Sequence, residues 1–234
     1  MCGRFTQKYT WEELSRLYRL TQPARNVRPN YHICPTDPVE VIIPGDNGLL
    51  AVPMRWQLIP PWWKKPLKEL PVTLNARAET VADKPMFRDA YRRNRCIIPA
   101  SGYYEWATRQ DGKQPYYITP TDGPIFNIAG LWSEWRDRVN DETLVTCTMI
   151  ITEANSTVSP IHDRMPVMLD HEGTKGWLFG KAGVRLLRPA PDDALRIWPV
   201  SRRMSKPGNG DDPSLIEPVA LHDPADTPLP LRLN

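Results

Sequence analysis

The sequence predicts a single α+β domain built mainly from short antiparallel strands. Its 234 residues, 41% apolar and 24% charged, suit one large domain or two small ones, and nine Trp and eight Tyr can fill a core. The 26 prolines are about twice the usual share of roughly 5%. Because proline interrupts helices and central strands, we expect short elements joined by turns. No internal repeat or linker divides the chain.

The first predicted element is a helix that begins at Thr10. Thr10 and Glu13 form the pattern of a capping box, in which each side chain bonds the other residue's backbone N–H. Trp11, Leu14 and Tyr18 fall on one face of this helix. That face should pack against the core.

A strand pair and an irregular loop follow. Residues 39–43 and 50–55 alternate in a way typical of strands around the turn 44–48. Residues 60–66 combine prolines, two Trp and two Lys, which favours an irregular loop. Residues 85–93 predict a short helix.

The second half predicts a series of short strands. They cover residues 95–99, 102–106, 116–119, 125–132 and 143–152. The turn 109–113 should join two of them as a hairpin. A helix over 172–179 should end at Gly180 as a left-handed C′ glycine, and 196–200 is the last strand. From Pro218 onward, repeated prolines predict a weakly ordered tail over 218–234.

Composition and cysteine spacing exclude several classes of protein. No apolar run approaches the roughly 18 residues of a membrane span. Residues 1–5 lack a basic segment followed by an apolar one, so we expect no signal peptide and an intracellular protein. The four cysteines form no C-x-x-C pair, so we expect neither a metal site nor a disulfide. Cys96 and Cys147 sit in apolar runs and should be core residues, whereas Cys34 is ambiguous.

Charge is unevenly distributed along the chain. Residues 1–110 hold 17 Lys and Arg against ten Asp and Glu, and the remainder holds 13 against 17. The basic half indicates a face that binds a polyanion. Scattered, solvated charge is the alternative.

Cys2 could carry unusual chemistry because of its position. Removal of Met1 would leave an α-amine and a thiol on adjacent carbons, with ordinary pKa values of about 7.7–8.0 and 8.5. Such an aminothiol condenses with an aldehyde: the amine forms an imine, the thiolate attacks the imine carbon, and a thiazolidine ring closes. The alternative is a second-position cysteine without a role.

Three further segments contain candidate catalytic groups. Asn75, Arg77 and Glu79 should share one face of an extended segment, where an Arg–carboxylate pair beside an amide could position a reacting group or be an ordinary strand surface. Glu105 lies among aromatic residues, and burial would raise its pKa for general acid–base work. His162 lies in a turn and is either a catalytic or a structural histidine.

Aromatic and basic residues alternate in two places. Trp62 and Trp63 precede Lys64 and Lys65, and Phe87 precedes Arg88. This interleaving suits single-stranded nucleic acid through base stacking and phosphate contacts. The two Trp could equally belong to the core.

Taken in order, these segments resemble the SOS-response-associated peptidase (SRAP) family of abasic-site processing proteins. The matching segments are M-C-G-R-F at 1–5, P-W-W at 61–63, N-A-R-A-E at 75–79, M-F at 86–87, S-G-Y-Y-E-W at 101–106, Q-P-Y at 114–116, A-G-L-W at 129–132, H-D-R-M-P at 162–166 and P-V-S at 199–201. The resemblance covers residues 2 to about 217. One departure is His32, where the family usually has an amide.

The resemblance implies a fold, a substrate and a mechanism. It implies a barrel-like sheet core in a domain over 1–217, and ring-opened abasic sites in single-stranded DNA as substrate. Cys2 would form the imine and thiazolidine crosslink, Asn75 would hold Cys2 and the sugar, Glu105 would move protons, and His162 would assist ring opening. The imine would also permit β-elimination, a lyase side reaction.

The resemblance also implies the DNA contacts and the partners. The residues expected to hold phosphates and bases are Arg4, Trp62, Trp63, Arg77, Phe87, Arg88 and Arg164. We expect no metal, no cofactor, no membrane partner and a monomer, with the preferred DNA junction left open. Two other hypotheses remain: a thiol peptidase that uses Cys2, Glu105 and His162, acting on its own Met1–Cys2 bond, and a noncovalent single-stranded-DNA-binding module.

Overall fold

The structure is a computed structural model that describes residues 2–137, 140–180, 183–206, 208 and 210–221. Within these ranges the chain forms thirteen strands, three α-helices and five short 3₁₀ helices. The strands are β1 Arg4–Gln7, β2 Asn30–Ile33, β3 Pro38–Gly45, β4 Gly48–Trp56, β5 Asn75–Arg77, β6 Arg95–Ala100, β7 Gly102–Arg109, β8 Gly112–Pro120, β9 Phe126–Asp137, β10 Glu142–Glu153, β11 Arg164–Pro166, β12 Met168–Leu169 and β13 Leu195–Pro199. The helices are α1 Trp11–Tyr18, α2 Arg88–Arg93 and α3 His171–Phe179. The 3₁₀ helices are Leu67–Glu69, Gly183–Leu186, Asp192–Ala194, Arg202–Ser205 and Pro213–Ile216.

One sheet closes on itself as a barrel. Its closed ring runs β10–β4–β3–β6–β9, and β9 pairs again with β10. The β4–β10 contact is parallel, and the other pairs of the ring are antiparallel. Strands β5 and β11 attach to β10, and β12 attaches to β9. The predicted α+β fold with a barrel-like core of mostly antiparallel strands is therefore confirmed.

A second sheet contains the amino-terminal strand. Its order is β13–β8–β7–β1–β2, and all its pairs are antiparallel. Phe5 of β1 meets Trp56 of β4 edge to face, with ring centroids 4.9 Å apart, and both side chains are fully buried. Such contacts add to the apolar area that holds the two sheets together.

Local sequence signals explain several elements. Thr10 caps α1 through the predicted capping box, and Trp11, Leu14 and Tyr18 are buried. β3 and β4 form the predicted hairpin, and Gly48 in its turn has φ +129°, which favours glycine. β7 and β8 form the second predicted hairpin.

Other elements differ from the sequence prediction. β1 and β2 were not predicted, because their polar residues are buried: Gln7 is only 5% exposed, and its side-chain amide donates to Glu40 O and Pro99 O. Gly180 ends α3 with φ −93°, so it is not a left-handed cap. A Cβ there would lie 2.6 Å from Gly176 O, and this close approach is what requires glycine.

The carboxyl-terminal boundary stays a prediction. Pro218 forms a bridge to Val200, and the Val219 N–H donates to Pro199 O, so the chain pairs with the second sheet here. Residues 222–234 of the predicted tail lie outside the described residues. Among the helices of the described ranges, none has the length and apolarity to cross a membrane.

Candidate functional site

The amino-terminal residues enter the molecule between the two sheets. Cys2 lies two residues before β1 and is 1% exposed. In the antiparallel pair of β1 and β7, Arg4 is opposite Tyr104. The same register places the next residue of β7, Glu105, opposite Gly3, the neighbour of Cys2. The Cys2 thiol donates weakly to Arg4 O at 3.7 Å. One sheet thus places the thiol and the carboxyl near each other.

The barrel supplies an amide to the same place. Asn75 begins β5, which runs parallel to β10 with Asn75 opposite Met149. Its Nδ2 donates to the Cys2 carbonyl oxygen at 2.8 Å. Its Oδ1 is buried and has no hydrogen-bond partner among the described residues. Asn75 therefore fixes the Cys2 backbone and keeps one acceptor for another group.

Burial sets the protonation states of Glu105 and Cys2. Glu105 is 2% exposed, and burial raises its pKa to about 7, with the charge of Asp163 adding to the rise. Burial, and then the charge of Glu105, raise the pKa of the Cys2 thiol far above its ordinary value. The thiol is therefore protonated at neutral pH. The carboxyl exchanges protons in that range.

His162 lies just before β11 and carries a constrained ring. Its Nδ1 accepts from the Arg164 backbone N–H at 3.0 Å and lies 2.9 Å from an Asp163 carboxylate oxygen. These contacts oppose each other, because the first favours a bare nitrogen and the second a protonated one. Burial lowers the pKa of His162, which favours the neutral ring.

Three of the arginines predicted to contact DNA lie near this site and differ in how firmly their side chains are held. Arg4 is held by two bonds, from Nη1 to Gly3 O at 2.8 Å and from Nε to His32 Nε2 at 3.3 Å. Arg77, at the end of β5, is exposed. Arg164 pairs with Glu79, and this contact holds the pKa of Glu79 low, although burial alone would raise it. Glu79 thus lies in a turn after β5 and pairs with Arg164, not with Arg77 as the sequence suggested.

The aromatic candidates divide into exposed and buried residues. Trp62 is 44% exposed and Trp63 half-buried, with ring centroids 6.1 Å apart, in the predicted irregular loop. Arg88 is exposed at the start of α2. Phe87 is only 7% exposed and belongs to the core, so its burial argues against the base contact suggested for it.

Two residues near the site had no role assigned from the sequence. Asp163 contacts His162 and raises the pKa of Glu105, and its place beside His162 in the H-D-R-M-P segment was the available signal. His32, noted only as a departure, is 3% exposed and accepts a hydrogen bond from Arg4. Its role depends on a strand pairing that periodicity does not show.

The cysteines and acidic side chains show no metal-binding arrangement. In residues 2–137, 140–180, 183–206, 208 and 210–221, no group of three or more His, Cys, Asp or Glu side chains could hold a metal ion. Cys2, Cys34, Cys96 and Cys147 are all free thiols. Cys96 and Cys147 are fully buried, as predicted for core residues.

Comparison with known proteins identifies relatives along nearly the whole chain. The abasic site processing protein YoqW of Bacillus subtilis is 37% identical over 227 residues, which cover 93% of this chain and 99% of the relative. The abasic site processing protein YedK of Escherichia coli is 32% identical over 236 residues, covering 94% and 100%. A crystal structure of a Bacteroides thetaiotaomicron protein matches with a TM-score of 0.85 at 27% identity, covering 94% of this chain and 100% of that one.

The family model described as SOS response associated peptidase (SRAP) matches residues 1–207. That match includes every residue of the site between the two sheets. The chain belongs to the SRAP family.

Proposed function

We propose that the protein captures abasic sites in single-stranded DNA as a covalent thiazolidine crosslink to Cys2, once Met1 has been removed. The observation that carries this proposal is the buried Glu105 carboxyl, with a pKa of about 7, beside a Cys2 whose carbonyl oxygen is held by Asn75. The names of the relatives, abasic site processing proteins, support the same substrate. The protein would act as a monomer inside the cell, where the DNA is.

The chemistry balances with the groups present. The Cys2 amine adds to the aldehyde carbon of the ring-opened sugar, and Glu105 protonates the resulting hydroxyl, which leaves as water. Loss of water leaves a protonated imine, and the Glu105 carboxylate then takes the proton of the Cys2 thiol. The sulfur attacks the imine carbon, and the C=N electron pair returns to the nitrogen, which keeps its own proton. The net change is one aldehyde and one aminothiol converted to one thiazolidine and one water. A raised thiol pKa makes a neighbouring base necessary.

Asn75 and His162 would position the sugar. The Asn75 Oδ1, buried without a partner among the described residues, would accept a hydrogen bond from a sugar hydroxyl or from the Cys2 amine. The neutral His162 ring would donate a hydrogen bond to the ring oxygen as the sugar opens. The role of Asn75 follows from the side-chain oxygen that its bond to Cys2 leaves available.

The surrounding cations would hold the DNA strand. Arg4, Arg77 and Arg164 would contact phosphates, and the exposed Trp62 would stack on a base. Because the imine acidifies the adjacent carbon, β-elimination of the 3′ strand would accompany slow ring closure as a lyase side reaction. A junction with duplex DNA would be tolerated wherever the abasic nucleotide lies in the single-stranded part.

A crosslinking assay tests the proposal. Full-length protein, with Met1 removal verified by mass spectrometry, is mixed with single-stranded DNA that carries one abasic site. We expect a heat-stable shifted band on a denaturing gel, lost in Cys2→Ala and kept in the matched thiol control Cys34→Ser. Blocking the amino terminus with an uncleaved tag should also abolish the band. A correctly processed wild type without the band would refute the proposal.

The structure argues against a general thiol peptidase. A thiol peptidase needs a thiolate that attacks the peptide directly, whereas burial raises the pKa of the Cys2 thiol; in the crosslink the amine attacks first and the thiol then acts within the imine. Cleavage limited to the Met1–Cys2 bond is compatible with this burial, because that bond adjoins the thiol. If Cys2→Ala loses Met1 at the wild-type rate, self-cleavage by the thiol is excluded.

A further inference from the structure

Three neighbouring clefts lie around α1, α2 and α3, outside the site that contains Cys2. The first has a volume of about 680 Å³ and the second about 370 Å³, and both are lined by Leu17, Arg19 and His171. The third, of about 420 Å³, shares Leu178 and Phe179 with the second. The shared lining residues place the three clefts next to one another, and we call them together the helix groove.

Cations line the helix groove along its length. Lys8, Arg16, Arg19 and Arg196 line the first cleft, and all four are exposed. None of the four has an ion-pair partner within the described ranges. The acidic side chain of this cleft, Glu13, is held by the backbone of Thr10 in the capping box. With four cations against this one carboxylate, the lining of the first cleft carries a net positive charge.

The positive charge continues into the other two clefts. Lys175 lines the second, where its ion pair with Glu172 is exposed and weak. Arg92 and Arg93 line the third, and both are exposed. Arg95 lies over the rings of Tyr91 and Trp177 and is held there. The second and third clefts thus extend the cationic lining of the first.

Exposed apolar side chains lie between these cations. Phe179 is 65% exposed and Leu17 is 48% exposed, in positions shared by neighbouring clefts. A cationic groove that also presents an exposed aromatic ring fits a ligand with regularly spaced negative charges and flat apolar faces. An acidic peptide would supply the negative charges but no flat nucleobase to stack on the exposed ring of Phe179.

We propose that the helix groove is a second binding surface for single-stranded nucleic acid, on which phosphates contact the cations and a base stacks on Phe179. It is independent of the Cys2 chemistry and goes beyond the proposed function. Lys8, which lines the groove, directly follows β1, and Cys2 lies two residues before β1. The groove and the reactive residue are therefore six residue steps apart along extended backbone, or about 20 Å. A strand crosslinked at Cys2 reaches the groove only through nucleotides several positions away.

The experiment measures binding of an undamaged 30-nucleotide single strand by fluorescence anisotropy over a range of salt concentrations. The test variant is Arg16→Ala with Arg92→Ala and Arg93→Ala. For single strands, each phosphate that a cation neutralises adds about 0.7 to the steepness of log K against log salt, so removing three cations should make the slope shallower by about 2. Phe179→Ala should weaken binding at least about fivefold and leave the slope unchanged, because stacking releases no counterions.

Matched controls separate this proposal from general charge and from the crosslinking function. The control variant Arg28→Ala with Lys113→Ala and Lys206→Ala removes the same charge from exposed positions outside the groove and should keep the wild-type slope. A five-nucleotide strand with a central abasic site has only two nucleotides on either side, too few to occupy the groove about 20 Å away, so the groove variant should crosslink it at the wild-type rate.

Each contrary result has a defined meaning. If the groove variant and the control variant have equal slopes on the long strand, the groove does not bind nucleic acid. If poly-glutamate displaces the long strand as well as unlabelled DNA of equal charge does, the groove prefers acidic protein and the nucleic-acid assignment is wrong. Failure of the wild type to crosslink the five-nucleotide abasic strand would refute the proposed function and leave the slope comparison on the undamaged strand intact.

Discussion

Replacing Glu105 with Gln should make the protein more stable and less active at the same time. The carboxyl is 2% exposed, and its pKa is raised from the ordinary 4.5 to about 7 by burial. An acid with a higher pKa in the folded chain takes up protons on folding. Its contribution to stability is therefore fully present below pH 4.5 and is lost as the pH rises through 7.

The size of the effect follows from the two pKa values. The interval from 4.5 to about 7 corresponds to about 3 kcal/mol, at roughly 1.4 kcal/mol for each factor of ten. Glu105→Gln removes this titration, so its free energy of unfolding relative to wild type should rise by about 3 kcal/mol between pH 4.5 and pH 8. For a chain of this length that is an increase in relative Tm of about 6–12 °C.

Urea unfolding at a series of pH values, on chains that retain Met1, measures this difference. Glu142→Gln, at an exposed carboxyl on a strand, is the matched control for the change from Glu to Gln. In the processed protein Glu105→Gln should slow crosslinking by about 10²–10⁴-fold. A pH-independent stability difference for Glu105→Gln would refute the assigned burial of the carboxylate charge.

Three further substitutions test particular contacts. Asn75→Ala removes the 2.8 Å bond to the Cys2 carbonyl and should slow crosslinking about fivefold or more with Tm nearly kept, and an unchanged rate constant on denaturing gels would contradict its positioning role. Thr10→Ala removes the cap of α1 and should cost about 1 kcal/mol in urea unfolding, whereas no loss would show that the capping box contributes nothing. Gly102→Ala places a Cβ 2.3 Å from the Tyr117 ring and should destabilise by about 1–3 kcal/mol or more, so a thermal-melting curve like that of wild type would disprove this tight packing.

Local signals predicted the elements whose residues follow simple rules. The capping box of Thr10 and Glu13 specifies the start of α1 without reference to the rest of the fold. The strands of both hairpins flank turns that contain Gly48 and Gly112, whose φ angles of +129° and +112° favour glycine. β1 carries no such local signal, because Thr6 and Gln7 are buried polar residues whose hydrogen-bond partners come from distant strands.

The site was harder to predict than the fold elements because its contacts join distant segments. The bond from Asn75 to Cys2 spans 73 positions, and the pair of Arg164 with Glu79 spans 85. In the segments that combine aromatic and basic residues, residue type alone does not show which side chains are buried and which are exposed. Phe87 and Trp62 have similar neighbours in sequence, yet one packs in the core and the other is 44% exposed.

The arrangement around Cys2 has one physical cause with two consequences. Burial between the two sheets raises the pKa of the thiol, which keeps the nucleophile protonated and unreactive toward solutes that do not enter the site. The same burial raises the pKa of Glu105 to about 7, which is the value that lets one carboxyl both give and take a proton near neutral pH. In a more exposed site the pKa of the thiol and the pKa of the carboxyl would both be lower. The burial that provides the proposed selectivity and reactivity also costs stability, because it disfavours the charged form of Glu105. Glu105→Gln should recover that stability.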